Sequence, residues 1–162
     1  MENNENNLIE LKEITREQFE ALEDDYKKNG GNIHFYYLND KVNSLTFGIF
    51  YNKELVGFIT SSSFIFDSVE VRTLVKKEYR GRGISSIAKQ KLIEMTSEFD
   101  KDKVEFISLI NYDNEASINA AKKSGWKFDS EKTEILSEEG TGQGYQVFTT
   151  NNPYYEKKKK TL

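Results

Sequence analysis

The chain has 162 residues, 36% of them hydrophobic, with a formal charge of −4, which fits one domain with a modest core. It has no cysteine and a single histidine, His34, so disulfides, thiolate nucleophiles, cysteine-ligated metals and His-His metal pairs are excluded and no metal is expected. The acidic balance argues against nucleic acid as the main partner. With an acidic, Asn-rich start and no run near 20 apolar residues, a cytoplasmic protein without membrane contact is expected.

In chain order, residues 2–7 are of low complexity and Lys157 to Lys160 form a lysine run at the other end. Flexible termini 1–7 and 152–162 are therefore expected around a domain spanning 8–151. Leu8 to Ile14 alternates apolar and polar side chains as a half-buried strand does, and Thr15 opens a T-x-x-Q capping box with Gln18 for a helix to about Tyr26. Lys28 to Asn32 breaks that pattern, and Ile33 to Val42 fits either a short helix or a lid. Ser44 to Tyr51 and Glu54 to Phe64 are β-rich runs separated by Asn52 and Lys53, a hairpin pattern that Ser68 to Val75 extends.

From Gly83 the period becomes helical, with Ile84, Ile87, Ala88, Leu92 and Met95 on one face and Lys89, Lys91, Glu94 and Glu98 on the other. Val104 to Ile110 reads as a short strand. Asn114 to Lys123 reads as a helix ended by Gly125 in the left-handed conformation. Trp126 to Leu136 and Tyr145 to Thr150 are expected to be closing strands. This order predicts an α/β domain around one mixed, mostly antiparallel sheet of about seven strands flanked by helices.

The junction near Val75 carries the chemistry. A strand followed by a glycine-containing loop that opens into a helix aims orphan backbone N–H groups at one point, where they and the helix dipole favour phosphate oxygens. Gly81 and Gly83 let backbone approach an anion, and Arg80 and Arg82 can add charge-assisted hydrogen bonds. The spacing is neither G-x-x-x-x-G-K-[ST] nor the three-glycine dinucleotide fingerprint. RNA-contacting Arg-Gly segments are usually disordered, whereas this one lies between a strand and a helix. A purely structural turn is the other reading.

On these residues the sequence resembles the GNAT N-acetyltransferase family, whose acyl-CoA signature is Gln or Arg, two residues, Gly, one residue, then Gly or Ala. Arg80 to Ser85 follows it except that Ser85 stands at the last position. A second block, Asn111 to Ser117 with Lys123 to Trp126, resembles the family's later element. The resemblance implies an acyl-CoA-binding V between the fourth and fifth strands, with acetyl-CoA as co-substrate. Its pyrophosphate would lie on Arg80, Gly81, Arg82, Gly83, Ile84, Ser85 and Ser86, and its pantetheine amides would pair with backbone near Leu74, Val75 and Lys76. By the same likeness Asn111, Asn114 and Ser117 belong to the cofactor site, although Asn114 reads equally well as a helix N-cap. The implied activity is acetyl transfer, by direct attack, to a primary amine of a small molecule or to a protein or peptide amino group.

Direct attack needs a base for the amine proton and a donor for the leaving thiolate. Many family members supply the donor from a tyrosine four residues after the small residue of the second block, where this chain has Ala121. Glu70 is the candidate base, with a solvated outward glutamate as the alternative because it falls on the opposite parity from Val69, Val71 and Val75. Tyr112 is the candidate acid. His34, Tyr36 and Tyr37, beside Phe35, lie in the variable early segment and are candidate acceptor contacts; with Phe64 and Phe66 these rings also read as cover for the sheet. Ala121 keeps a second function open, an acyl-CoA-binding or sensing module with weak or no transferase activity. Monomer and homodimer are both compatible with the sequence.

Overall fold

The computed structural model describes residues 8–31, 35–40, 44–95, 102–138 and 144–156; His34 and the lysine run lie outside them. The chain forms β1 (Ile9–Glu13), α1 (Arg16–Lys28), β2 (Asn39–Asp40), β3 (Ser44–Tyr51), β4 (Glu54–Phe64), β5 (Ser68–Val75), a 3₁₀ turn (Lys77–Tyr79), α2 (Ile84–Met95), β6 (Glu105–Asn111), α3 (Glu115–Lys123), β7 (Lys127–Phe128), α4 (Ser130–Glu138) and β8 (Tyr145–Asn151). The sheet runs β1-β3-β4-β5-β6-β8-β7, with the two-residue β2 beside β3. Its β5–β6 pair is parallel, and the ladders β1–β3, β3–β4, β6–β8 and β7–β8 are antiparallel. This is the mixed, mostly antiparallel sheet expected from the sequence.

Local chemistry explains the boundaries. At the start of α1, Gln18 N–H donates to Thr15 Oγ1 at 3.1 Å and Thr15 N–H donates to Gln18 Oε1 at 2.9 Å, completing the capping box. Asn52 and Lys53 both adopt positive φ, 48° and 70°, as the tight β3–β4 hairpin requires. Past β8, Asn152 stays buried, its side chain donating to Lys103 C=O at 2.9 Å.

One expected element is different. Of the segment Trp126 to Leu136, only Lys127 and Phe128 pair as a strand, opposite Thr149 and Phe148, and Ser130 to Leu136 belongs to α4. Asp129 is the cause: its Oδ1 accepts the Lys132 N–H at 3.0 Å, as an N-cap does. Thr133 then donates to Asp129 C=O at 2.7 Å and accepts the Val147 N–H at 2.9 Å, which turns a helical hydroxyl toward β8. Thr133 and Leu136, three apart, are the buried face.

Packing divides the chain into two compact units, one made of the chain up to Ser62 with Arg72–Glu94, the other of Ser63–Val71 with the chain from Met95 onward. In the first, Ile14, Phe19, Leu22, Phe35, Phe58 and Leu74 form the core, with Tyr37 packed against it. In the second, Ile107, Leu136 and Val147 do so, covered by Phe64, Phe66 and Leu109. Phe35, Tyr37, Phe64 and Phe66 therefore take part in these cores, and Tyr37 also lines a small pocket with Glu13, Ile14, Leu45, Thr46 and Phe47.

Helix α2 buries Ile84, Ala88, Leu92 and Ile93. Lys89 is half-buried, and burial of its ammonium lowers its pKa from 10.5 to about 8. Between about pH 8 and 10.5 the unfolded chain holds a proton that the folded chain has released, so stability should rise with pH across that window. Lys89→Met should remove the rise and stabilise the protein at pH 7, by up to about 3 kcal/mol, as read from urea midpoints at pH 7 and 9.5.

Candidate active site

The site is built from the end of β5. Lys76 N–H donates to Val56 C=O at 2.8 Å, which keeps the strand pinned to β4 up to its last residue, and Tyr79 N–H closes the 3₁₀ turn on Lys76 C=O at 2.9 Å. The backbone then turns left-handed at Gly81 (φ 81°) and Gly83 (φ 77°). A Cβ would meet nothing within 4 Å at either position. The glycines are thus required for their φ, and they leave open space beside the turn. The first helical hydrogen bond runs from Ile87 N–H to Gly83 C=O at 3.1 Å, so the N–H groups of Ile84, Ser85 and Ser86 precede it as orphan donors at the positive end of the helix dipole.

Side chains fix this turn from several sides. Ser85 Oγ and Thr73 Oγ1 are hydrogen-bonded at 2.9 Å, tying the first turn of α2 to β5. Arg80 Nε donates to Val75 C=O at 3.0 Å. The Arg82 guanidinium lies over the rings of Tyr79 and Tyr51, 5.4 and 6.0 Å from their centroids. Tyr79 donates its hydroxyl to Glu54 at 2.5 Å, and that bond to a carboxylate holds the phenol above its ordinary pKa. Sequence reasoning missed this cluster, although a signal for it existed: a two-residue turn at Asn52 and Lys53 pairs Tyr51 with Glu54.

The strand-end groups near Leu74, Val75 and Lys76 are partly engaged within the protein. Val75 C=O accepts Arg80, and Lys76 uses both its N–H and its C=O. Gly57 on β4 matters here too, because a Cβ on it would fall 2.1 Å from Leu74 C=O. Only glycine allows that approach.

In the second unit β5 and β6 pair in parallel from Ser68↔Glu105 to Glu70↔Ile107, after which Ser108 Oγ, a side chain, reaches Val71 C=O at 3.3 Å. Glu70 is 8% exposed between Val69 and Val71 at 1% each, so the reading of Glu70 as a solvated outward residue is overturned. Both faces of β5 are covered there. Tyr112 follows β6 and is 52% exposed, with its N–H on Gly144 C=O at 3.0 Å. It lies five residues along the chain from Ile107, the partner of Glu70, or about 16 Å of strand, more than the two side chains span together.

Asn111 and Asn114 shape the β6–α3 turn: Asn111 Oδ1 accepts Asp113 N–H at 2.9 Å, and Asn114 Oδ1 accepts Ser117 N–H at 3.2 Å as the N-cap of α3. Ala121 is buried on α3. Of the acceptor candidates, Tyr37 donates its hydroxyl to Ile14 C=O at 2.7 Å and packs edge-on against Phe19, while Tyr36 is 65% exposed. Among the described residues no group of three or more acidic or histidine side chains is placed to hold a metal.

The sequence matches the model of the acetyltransferase (GNAT) family over residues 8–126. Among solved structures it is similar to an acetyltransferase of Salmonella typhimurium that modifies the N-terminal serine of a 50S ribosomal subunit protein, at 16% identity and TM-score 0.65 over 89% of this chain and 95% of that one. It is similar to a spermidine N-acetyltransferase of Vibrio cholerae, a dodecamer, at 12% identity and TM-score 0.63 over 88% and 92%. The PaiA N-acetyltransferase of Thermoplasma acidophilum, solved in complex with coenzyme A, matches at 17% identity and TM-score 0.54 over 85% and 71%. At such identities the likeness is one of fold. No curated protein matches significantly.

The hydroxyl pair at the turn can be tested by itself. Ser85→Ala and Thr73→Val should each destabilise the protein by about 1 kcal/mol, and the double variant should cost clearly less than their sum, as measured by urea denaturation.

Proposed function

The chain belongs to the GNAT acetyltransferase family, and from that premise we propose an N-acetyltransferase that moves the acetyl group of acetyl-CoA directly to a primary amine of a small molecule or to a protein amino group. The observation that carries the reading is the left-handed turn at Gly81 and Gly83, with open space on its Cβ side and the N–H groups of Ile84, Ser85 and Ser86 next in the chain. A pyrophosphate fits there, since these donors and the helix dipole favour anionic oxygens. Arg80 supplies positive charge to it, and Arg82 adds a second cationic group of the cofactor site beside it. Pantetheine would follow the backbone of Leu74, Val75 and Lys76, and the family likeness adds Asn111, Asn114 and Ser117 to the cofactor residues.

The thioester supplies an activated acetyl group; the residues of this chain need only hold it and move protons. Glu70 takes the amine proton, through water, from its buried place on β5. Tyr112, beyond direct reach of Glu70, protonates the departing thiolate through water, in place of the tyrosine that Ala121 replaces. Coenzyme A thiolate leaves tolerably unaided, so the buried Ala121 is compatible with turnover. Tyr36, the exposed ring among the described acceptor candidates, contacts the acceptor. The active domain spans 8–151 and works in the cytoplasm as a monomer or homodimer. No helix among the described residues is long and apolar enough to cross a membrane.

Titration calorimetry with acetyl-CoA tests the site. The intact protein should bind, Arg80→Ala should weaken binding about tenfold or more, and Gly83→Val, which forces a β-branched residue to positive φ, should abolish it. No binding by the intact protein would end the reading. The chemistry is tested by thiol release with a panel of primary amines that includes spermidine and a peptide with N-terminal serine. Glu70→Gln should lower kcat/KM about 100-fold or more with an unchanged dissociation constant for acetyl-CoA.

A further inference from the structure

We infer that Arg82 reads the 3′-phosphate of coenzyme A, so that the protein selects acetyl-CoA over 3′-dephospho-acetyl-CoA; the inference rests on the acetyl-CoA reading above.

The two arginines of the turn are anchored differently. Arg80 bonds through Nε to the Val75 carbonyl, at the end of β5. Arg82 is anchored on rings, those of Tyr79 and of Tyr51 at the β3–β4 hairpin. That shelf is itself built: Glu54, the cross-strand partner of Tyr51, accepts the Tyr79 hydroxyl, and the two rings pack with centroids 6.0 Å apart. An arginine stacked on an aromatic face keeps its planar fork of N–H donors available in the plane, a geometry suited to a phosphate.

A purely structural role would have Arg82 paired with the carboxylate nearest its shelf. Glu54 instead holds Tyr79, and among the described residues no carboxylate or carbonyl is hydrogen-bonded to Arg82. Arg82 is exposed. The turn therefore offers two separate cationic positions. Coenzyme A carries two separate anionic groups, the pyrophosphate and, beyond it on the ribose, the 3′-phosphate. The N–H groups at the start of α2 with Arg80 serve the first. Arg82 on its tyrosine shelf serves the second.

Calorimetry on the full chain with acetyl-CoA and with 3′-dephospho-acetyl-CoA decides the matter. The intact protein should bind the dephospho form about 10- to 100-fold more weakly. Arg82→Ala should bring acetyl-CoA down to the affinity of the dephospho form while leaving the dephospho affinity within about twofold. Tyr79→Leu should lose part of the discrimination in the same one-sided way. Equal affinity of the intact protein for the two ligands, or an Arg82→Ala variant that weakens both alike, would overturn the assignment and leave the acetyl-CoA reading intact. Failure of the intact protein to bind either ligand would overturn both.

Discussion

The positive φ at Gly81 and Gly83 is the constraint on which the turn between β5 and α2, and with it the proposed cofactor site, depends. Between β5 and α2 the backbone visits the left-handed region at both positions, and glycine does so without steric cost. The hydroxyl bond from Ser85 to Thr73 and the Arg80 bond to Val75 then hold the helix start and the strand end in fixed relation. The orphan N–H groups of α2 are thereby held in place, as the proposed pyrophosphate site requires. Preorganisation matters because ordering such a loop on binding would offset part of the binding free energy.

The same strand carries the proposed chemistry. At Glu70, β5 is buried on both faces and paired in parallel with β6, and after Ile107 a serine side chain takes over the link to Val71. Glu70 is buried there and has an interaction within the protein, and its proposed role as base rests on the family likeness. The leaving thiolate is less well provided for. Ala121 fills a buried position on α3 with no hydroxyl, and Tyr112 sits five residues past the partner of Glu70.

Much of this was legible in the sequence because short-range rules governed it. The capping box at Thr15, the hairpin at Asn52 and Lys53, and the glycine turn each involve residues within four positions of one another, where local hydrogen bonding and φ preferences decide. The segment after Trp126 was misjudged because alternation at Trp126 and Phe128 suggested a strand, while the deciding cap at Asp129 acts together with a tertiary bond from Thr133 to Val147. The parity of Glu70 was read correctly, but parity does not say whether the second face of a strand is covered. Gly57 gave no sign of its role, since the Leu74 carbonyl that excludes a side chain there comes from a different strand. For the tyrosine shelf under Arg82 the turn at Asn52 and Lys53 reveals only the Tyr51–Glu54 pairing, since Tyr79 comes from far along the chain.

Backbone amide NMR of the intact protein during titration with acetyl-CoA tests the central claim most directly, because it reports on the N–H groups themselves. Phosphate oxygens accepting those hydrogen bonds should move the amide protons of Gly83, Ile84, Ser85 and Ser86 downfield, more than any others, in a saturable way. Saturable binding that leaves these four amides unmoved, with the large shifts elsewhere, would contradict the assignment of the turn as the pyrophosphate site.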